Sequence, residues 1–205
     1  MIVIVDYGMG NLGSIANMLK KIGTSAIISS DLDVIAQAHK LILPGVGAFD
    51  HGMTKVKELG ILTVLNERVL NAGVPVLGIC LGMQLMTHRS DEGELPGLGW
   101  IEADTVRFHF GPDRTDLKIP HMGWNQLTVR QSHQLLAGLE PENRFYFVHS
   151  YHVVCTNPGN ILAQTTYGFD FTSVVARGNV MGVQFHPEKS HKFGMRLLKN
   201  FVESF

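Results

Sequence analysis

The chain has 205 residues, 45% of them apolar and 17% charged, and its formal net charge is −1. That is enough apolar material for one sizeable core and too much for a disordered chain. The balanced charge gives no footprint for a nucleic-acid partner, and no run approaches the roughly 18 apolar residues of a membrane span.

The opening run Met1–Val5 is apolar but short, lacks a basic flank and meets Asp6, so it reads as a buried strand rather than an export signal. A helix is expected over Ser14–Lys21, a second strand at Ala26–Ser29 and a third at His39–Leu43, closed by Pro44-Gly45. Helical segments follow between Phe49 and Asn71, then an apolar strand at Val74–Ile79 and a helix at Gly82–His88. Continuous apolar strands alternating with helices indicate a parallel sheet covered on both faces. From Trp100 onward, shorter runs of alternating polarity predict antiparallel strands at Ile101–Phe108, Asn125–Val129, Arg144–Val148, Tyr151–Val154 and Ile161–Thr166. Val180–Gln184 reads as a last core strand and Lys192–Phe205 as an amphipathic helix. The expected architecture is a single α/β domain over 1–205 with a mixed, mostly parallel central sheet flanked by helices. Two cysteines, Cys80 and Cys155, are too few for a disulfide framework, so free thiols and a cytoplasmic setting are expected.

Gly78-Ile79-Cys80-Leu81-Gly82 joins an apolar strand to a helix in the G-x-nucleophile-x-G pattern of a nucleophile elbow. Its glycines permit a tight turn that lifts the sulfur to the carboxyl end of the sheet, above a helix amino end. The backbone N–H of Leu81 would then point at an oxyanion on the substrate. A thiol nucleophile needs a base, and the base needs an orienting group. His186 and Glu188, joined by the stiff Pro187, follow the last apolar strand and supply both. Cys155 has no flanking glycines and reads as a packing residue.

The stretches Gly78–Gln84 and His186-Pro187-Glu188 resemble the class I (triad) glutamine amidotransferases over nearly the whole chain. That family carries a Cys–His–Glu triad in these motifs, which the resemblance places at Cys80, His186 and Glu188. Three further stretches, Asp6–Leu12, Pro44–Phe49 and His121–Asn125, are similar to the glutaminase subunits of imidazole glycerol phosphate synthase. The corresponding subunits for anthranilate or pyridoxal phosphate synthesis, the alternative, differ there. The resemblance implies hydrolysis of glutamine and transfer of ammonia to a separate (β/α)8-barrel synthase in a heterodimer. It further implies a second oxyanion donor at Val46, a glutamine site at Gly47, Gln84, His149, Ser150 and Tyr151, and a partner face at Asn11, Trp124, Asn125, Tyr146 and Lys189.

Other readings of the sequence are weaker. Gly8-x-Gly10-x-x-Gly13, with Asp31 lying 31 − 13 = 18 residues on, fits a dinucleotide fingerprint. A nicotinamide-dependent oxidoreductase would leave Cys80 and His186 unexplained, so no cofactor is expected. Ten histidines raise the question of a metal, but His149 and His152 are expected on opposite faces of one strand, and His186 and His191 straddle a turn. No metal is expected. A scaffold without catalysis would not need the intact triad.

Overall fold

The computed structural model describes residues 1–112, 114 and 116–205. Strands β1 (Ile2–Val5), β2 (Ala26–Ser29), β3 (Lys40–Gly45) and β4 (Val76–Cys80) run parallel in the spatial order β2-β1-β3-β4. Between them lie helices α1 (Leu12–Lys21), α2 (Leu32–Ala36), α3 (Phe49–Glu58) and α4 (Ile61–Asn66), the last running on as a π turn over Glu67–Asn71. Helix α5 (Leu81–Leu85) leaves β4 directly.

The second half adds β5 (Ala103–Arg107), β6 (His121–Asn125), β7 (Thr128–Val129), β8 (Phe145–His149), β9 (Tyr151–Cys155), β10 (Ile161–Tyr167), β11 (Phe169–Arg177) and β12 (Val180–Val183). β12 lies parallel to β4, with Val183 opposite Ile79. Beyond β12 the sheet turns antiparallel through β11, β10 and β7, while β9 bridges β11 to β5. β6 and β8 form a separate two-stranded ribbon. Helix α6 (His191–Ser204) closes the fold.

Alternation along the strands divides the apolar side chains between two cores. Ile2, Ile4, Ile42, Leu77 and Ile79 face Ile15, Leu19 and Phe201 of α1 and α6. Val3, Val5, Leu41, Leu43 and Val76 face Met53, Ile61 and Leu85 on the other side. A parallel sheet buried on both faces therefore needs unbroken apolar strands, as in Val76–Cys80. Among the described residues, no helix is long and apolar enough to cross a membrane.

Several expectations are corrected. Asp31 is the N-cap of α2, its Oδ1 accepting from the N–H groups of Asp33 and Val34 at 2.8 and 3.1 Å, and the helix it starts has no counterpart in the sequence reading. The strand expected at Asn125–Val129 splits into β6 and the short β7. β11, nine residues long, lies where no strand was expected. His149 and His152 do not sit on opposite faces of one strand. Ser150 interrupts the run between β8 and β9, and both imidazoles pack on Phe108, with ring centroids 5.3 and 4.7 Å away.

Candidate active site

The carboxyl ends of β3, β4 and β12 meet at one edge, the usual position for a site in a parallel sheet. Gly45 lies opposite Cys80 in the β3–β4 register. Cys80 has φ +54°, a strained value for a residue with a side chain, and α5 begins at the next residue. The flanking glycines have separate steric reasons. A Cβ on Gly78 would lie 2.8 Å from Gly82 C and Met83 N, and one on Gly82 would lie 1.7 Å from the Leu43 carbonyl oxygen. The turn is tight on both sides of the sulfur, as the motif requires.

His186 and Glu188 are brought to the same edge by β12. Pro187 opens a 3-10 turn over Pro187–Lys189. Ser190 is fully buried beneath it, its hydroxyl donating to His186 O at 2.6 Å and accepting from Tyr146 N at 3.0 Å. His186 Nδ1 and Glu188 Oε1 are 2.8 Å apart, with side chains 2% and 1% exposed. Among the described residues, His186 Nε2 and Glu188 Oε2 have no hydrogen-bond partner at ordinary distance. An orphaned buried nitrogen is costly in a histidine that serves only packing; this one is directed towards Cys80. Burial disfavours a charged His186, but the neighbouring Cys80, towards which Nε2 is free to donate, and the hydrogen-bonded Glu188 outweigh it and raise the imidazole to about 10. The arrangement therefore favours a proton on the ring between sulfur and carboxylate.

A cavity of about 460 Å³ opens above the sulfur, and its wall includes Val46, Gly47, Leu81, Gln84, His149, Ser150, Tyr151 and His186. Seven of these eight are the expected oxyanion and glutamine residues, and the eighth is the candidate base. Gln84 is buried, not a solvated helix residue: its Nε2 donates to Tyr151 O at 3.2 Å and Gln184 Oε1 at 3.1 Å. His149 Nδ1 donates to Tyr151 O at 2.7 Å, which leaves its Nε2 to accept from His121 Nδ1 at 3.0 Å. Burial lowers His149 to about 3 and His121 to about 4, so the pair is neutral.

Three residues at the site were not singled out from sequence. Gln184 Nε2 donates to Cys80 Sγ at 3.7 Å and is fully buried, and the signal for it in the sequence is a lone amide in the otherwise apolar run Val180–Phe185. Glu92 contributes a carboxylate to the cavity wall, with Oε2 accepting from Phe49 N at 2.9 Å. Its stretch, Asp91-Glu92-Gly93-Glu94, reads only as a turn. Tyr7, wholly buried, donates its hydroxyl to the Pro44 carbonyl and so holds the loop before Val46. Its burial and the nearby Cys80 push the phenol far above its ordinary value. Gly10 of the apparent dinucleotide fingerprint abuts the same loop: a Cβ there would lie 3.1 Å from Pro44 Cβ and 3.3 Å from Gly45 N. Its close approach is to protein backbone.

The expected partner residues divide. Trp124 is 47% exposed and stacks on His191 at 5.3 Å, with Tyr146 edge-on at 6.0 Å and Lys189 Nζ 5.5 Å from the Tyr146 ring. Asn11 and Lys189 are exposed. Asn125 is half-buried, its amide donating to Thr166 O at 3.0 Å and lying 3.4 Å from His121 Nε2. It stands on the opposite face of β6 from Trp124. Among the described residues, no group of three His, Cys, Asp or Glu side chains is arranged to hold a metal ion.

The sequence matches the family Glutamine amidotransferase class-I over residues 3–205. The chain belongs to the class I glutamine amidotransferases. The amidotransferase is similar to imidazole glycerol phosphate synthase subunit HisH 2 of Methanococcus maripaludis, 55% identical over 203 residues and 99% of each chain. The protein of that name from Pseudomonas aeruginosa is also 55% identical over 99% of each chain. Subunit HisH of Bdellovibrio bacteriovorus is 50% identical over 99% of this chain and all of that one. Among solved structures, one described as a glutamine amidotransferase matches with TM-score 0.73 and 26% identity over 99% and 98% of the two chains. PurLQS from Thermotoga maritima matches in fold, with TM-score 0.72 at 18% identity over 98% and 96%.

Proposed function

We propose that this amidotransferase is the glutaminase subunit of an imidazole glycerol phosphate synthase. It hydrolyses glutamine to glutamate and ammonia, and a (β/α)8-barrel synthase subunit consumes the ammonia in histidine biosynthesis. That subunit converts a phosphoribulosyl-formimino-carboxamide ribonucleotide to imidazole glycerol phosphate and an aminoimidazole carboxamide ribotide. The observation that carries the hydrolytic reading is the buried His186–Glu188 pair, set against a strained cysteine in one cavity. The relatives' shared name supports the choice of synthase. The two free cysteines suit a reducing cytoplasm, the setting this reading implies.

Each side chain has a role in this reading. Cys80 Sγ attacks the amide carbon of glutamine while its proton resides on His186 Nε2. Leu81 N–H and Val46 N–H stabilise the tetrahedral oxyanion. Collapse breaks the carbon–nitrogen bond, and His186 returns the proton to the departing ammonia. Water then attacks the glutamyl thioester with His186 as base, releasing glutamate and restoring the thiol. Glu188 holds the ring's tautomer. Gly47, Gln84, His149, Ser150 and Tyr151 position the amino-acid end, and Glu92 is the carboxylate available for its ammonium. Ammonia released into neutral water would protonate and cease to be a nucleophile, so a closed route into the partner preserves its reactivity.

Co-expression with a barrel synthase tests the reading. Cys80→Ala is expected to abolish glutamine-dependent synthesis and to leave ammonia-dependent synthesis intact. A glutamine-analogue electrophile is expected to label the Cys80 peptide. Persistent glutamine turnover in the variant, or labelling at Cys155 instead, overturns the assignment.

A further inference from the structure

We propose that Asp50 is a positioning residue that holds Glu92 and the Val46–Ala48 loop in one arrangement for glutamine. The proposal rests on the reading of Glu92 as the partner of the substrate ammonium. Asp50 and Glu92 form a reciprocal clamp between the start of α3 and the turn after Ser90. From the turn, Glu92 Oε2 accepts the N–H of Phe49, the first residue of α3, at 2.9 Å. From the helix, Asp50 Oδ2 accepts Glu94 N–H at 2.9 Å and Oδ1 accepts Leu95 N–H at 3.0 Å. The Ser90 hydroxyl accepts Glu92 N–H at 3.1 Å and fixes the near side of the turn.

Gly93 makes this clamp possible. A Cβ at Gly93 would lie 1.9 Å from Asp50 Oδ1 and 2.3 Å from Cγ, so the carboxylate occupies the space a side chain would take. Val46, Gly47 and Ala48 line the cavity and immediately precede Phe49, whose N–H Glu92 holds. The residue that would meet the ammonium and the loop that would meet the amide oxygen are therefore tied to one another at opposite ends of the substrate. Without Asp50, the 92–95 backbone loses two charge-assisted anchors, and Glu92 is no longer held over the cavity.

The readout is the preference for glutamine over 4-carbamoylbutanoate, which keeps the amide and the carboxylate but lacks the amino group. It is measured as a ratio of kcat/KM in the complex with the synthase. Asp50→Ala is expected to shrink that ratio roughly tenfold, mainly through KM for glutamine, with ammonia-dependent synthesis unchanged. Asp50→Asn keeps one acceptor oxygen and is expected to fall between the two. Gly93→Ala displaces the carboxylate sterically and is expected to reproduce the Asp50→Ala profile. Glu92→Gln separates the proposal from the reading beneath it. If Glu92→Gln loses the preference while Asp50→Ala and Gly93→Ala keep it, the clamp is wrong and Glu92 retains its role. If Glu92→Gln keeps the preference, the reading of Glu92 itself fails. An equal fall for both substrates in Asp50→Ala would reveal a purely structural role and overturn the proposal.

Discussion

Gly82 leaves no room for even a methyl group, because the Leu43 carbonyl occupies the place a Cβ would take. Gly82→Ala is therefore expected to destabilise the fold by about 1–3 kcal/mol, read as a lower urea midpoint, and to remove glutaminase activity as the elbow shifts. Gly45 and Gly47 flank the Val46 peptide, and each has its own constraint. A Cβ on Gly45 would strike the Tyr7 hydroxyl at 2.6 Å, and Gly47 has φ +108°. Gln184 is a different case. Gln184→Leu removes the N–H directed at Cys80 Sγ and the acceptor for Gln84 in a near-isosteric change. Glutaminase kcat in the complex is expected to drop roughly tenfold while ammonia-dependent synthesis holds. An unchanged kcat would show that the amide only fills space.

The ribbon and the strand beside it carry the pH response. Burial lowers His149 to about 3 and both His121 and His152 to about 4, against an ordinary value of 6.5. The folded state keeps these rings neutral while the unfolded chain takes up protons below pH 6.5. Their contribution is thus present above pH 6.5 and is lost as the pH falls towards 4. Between pH 6.5 and 5, before most carboxylates titrate, the urea midpoint is expected to decline, and His152→Gln is expected to flatten that decline. His186, whose value is raised, acts in the other window: its contribution is present below pH 6.5 and is lost as the pH rises towards 10. The elements that carry the triad were legible because their signals are local: an apolar run, two glycines, then His-Pro-Glu. The ribbon was less legible. β6 alternates with its apolar residues outward, Met122 and Trp124 being exposed while His121 is buried, and β11 has six successive buried residues from Phe171 to Ala176, so neither shows the apolar-in, polar-out pattern expected of an antiparallel strand. Glu92 and Asp50 meet only through tertiary folding, and nothing in the spacing of 92 − 50 = 42 residues announces it.

Viewed as a whole, the molecule places the exposed Trp124–His191 stack and Lys189 beside the strand segment that carries the base. Tyr146 O accepts His186 N–H at 2.9 Å, so the aromatic face and the candidate triad share backbone. If this face receives the synthase, Trp124→Ala is expected to weaken the complex by about 2 kcal/mol or more, and Lys189→Ala to weaken the coupling of the two reactions. Titration calorimetry and the ratio of glutamine consumed to product formed check both, and no change in either variant would place the partner elsewhere. The same adjacency predicts a slow glutaminase in isolation that the ligand-bound synthase accelerates. If the Val46 N–H turns towards the cavity only in the complex, the isolated chain lacks one of its two oxyanion donors, which alone is worth roughly 10²–10³ in rate. Steady-state rates for the chain alone, with empty synthase and with liganded synthase test this, and equal rates would exclude it. The position of β12 has a consequence during synthesis. It is translated long after β4, yet it lies between β4 and β11 in the sheet. A growing chain thus carries Cys80 on a strand with one bare edge until Val180–Val183 leaves the ribosome, an interval when edge-to-edge association is the main hazard and a holding chaperone has most to cover. His186 and Glu188 emerge directly behind the strand that closes the gap, so a nascent chain cannot consume glutamine before its sheet is complete.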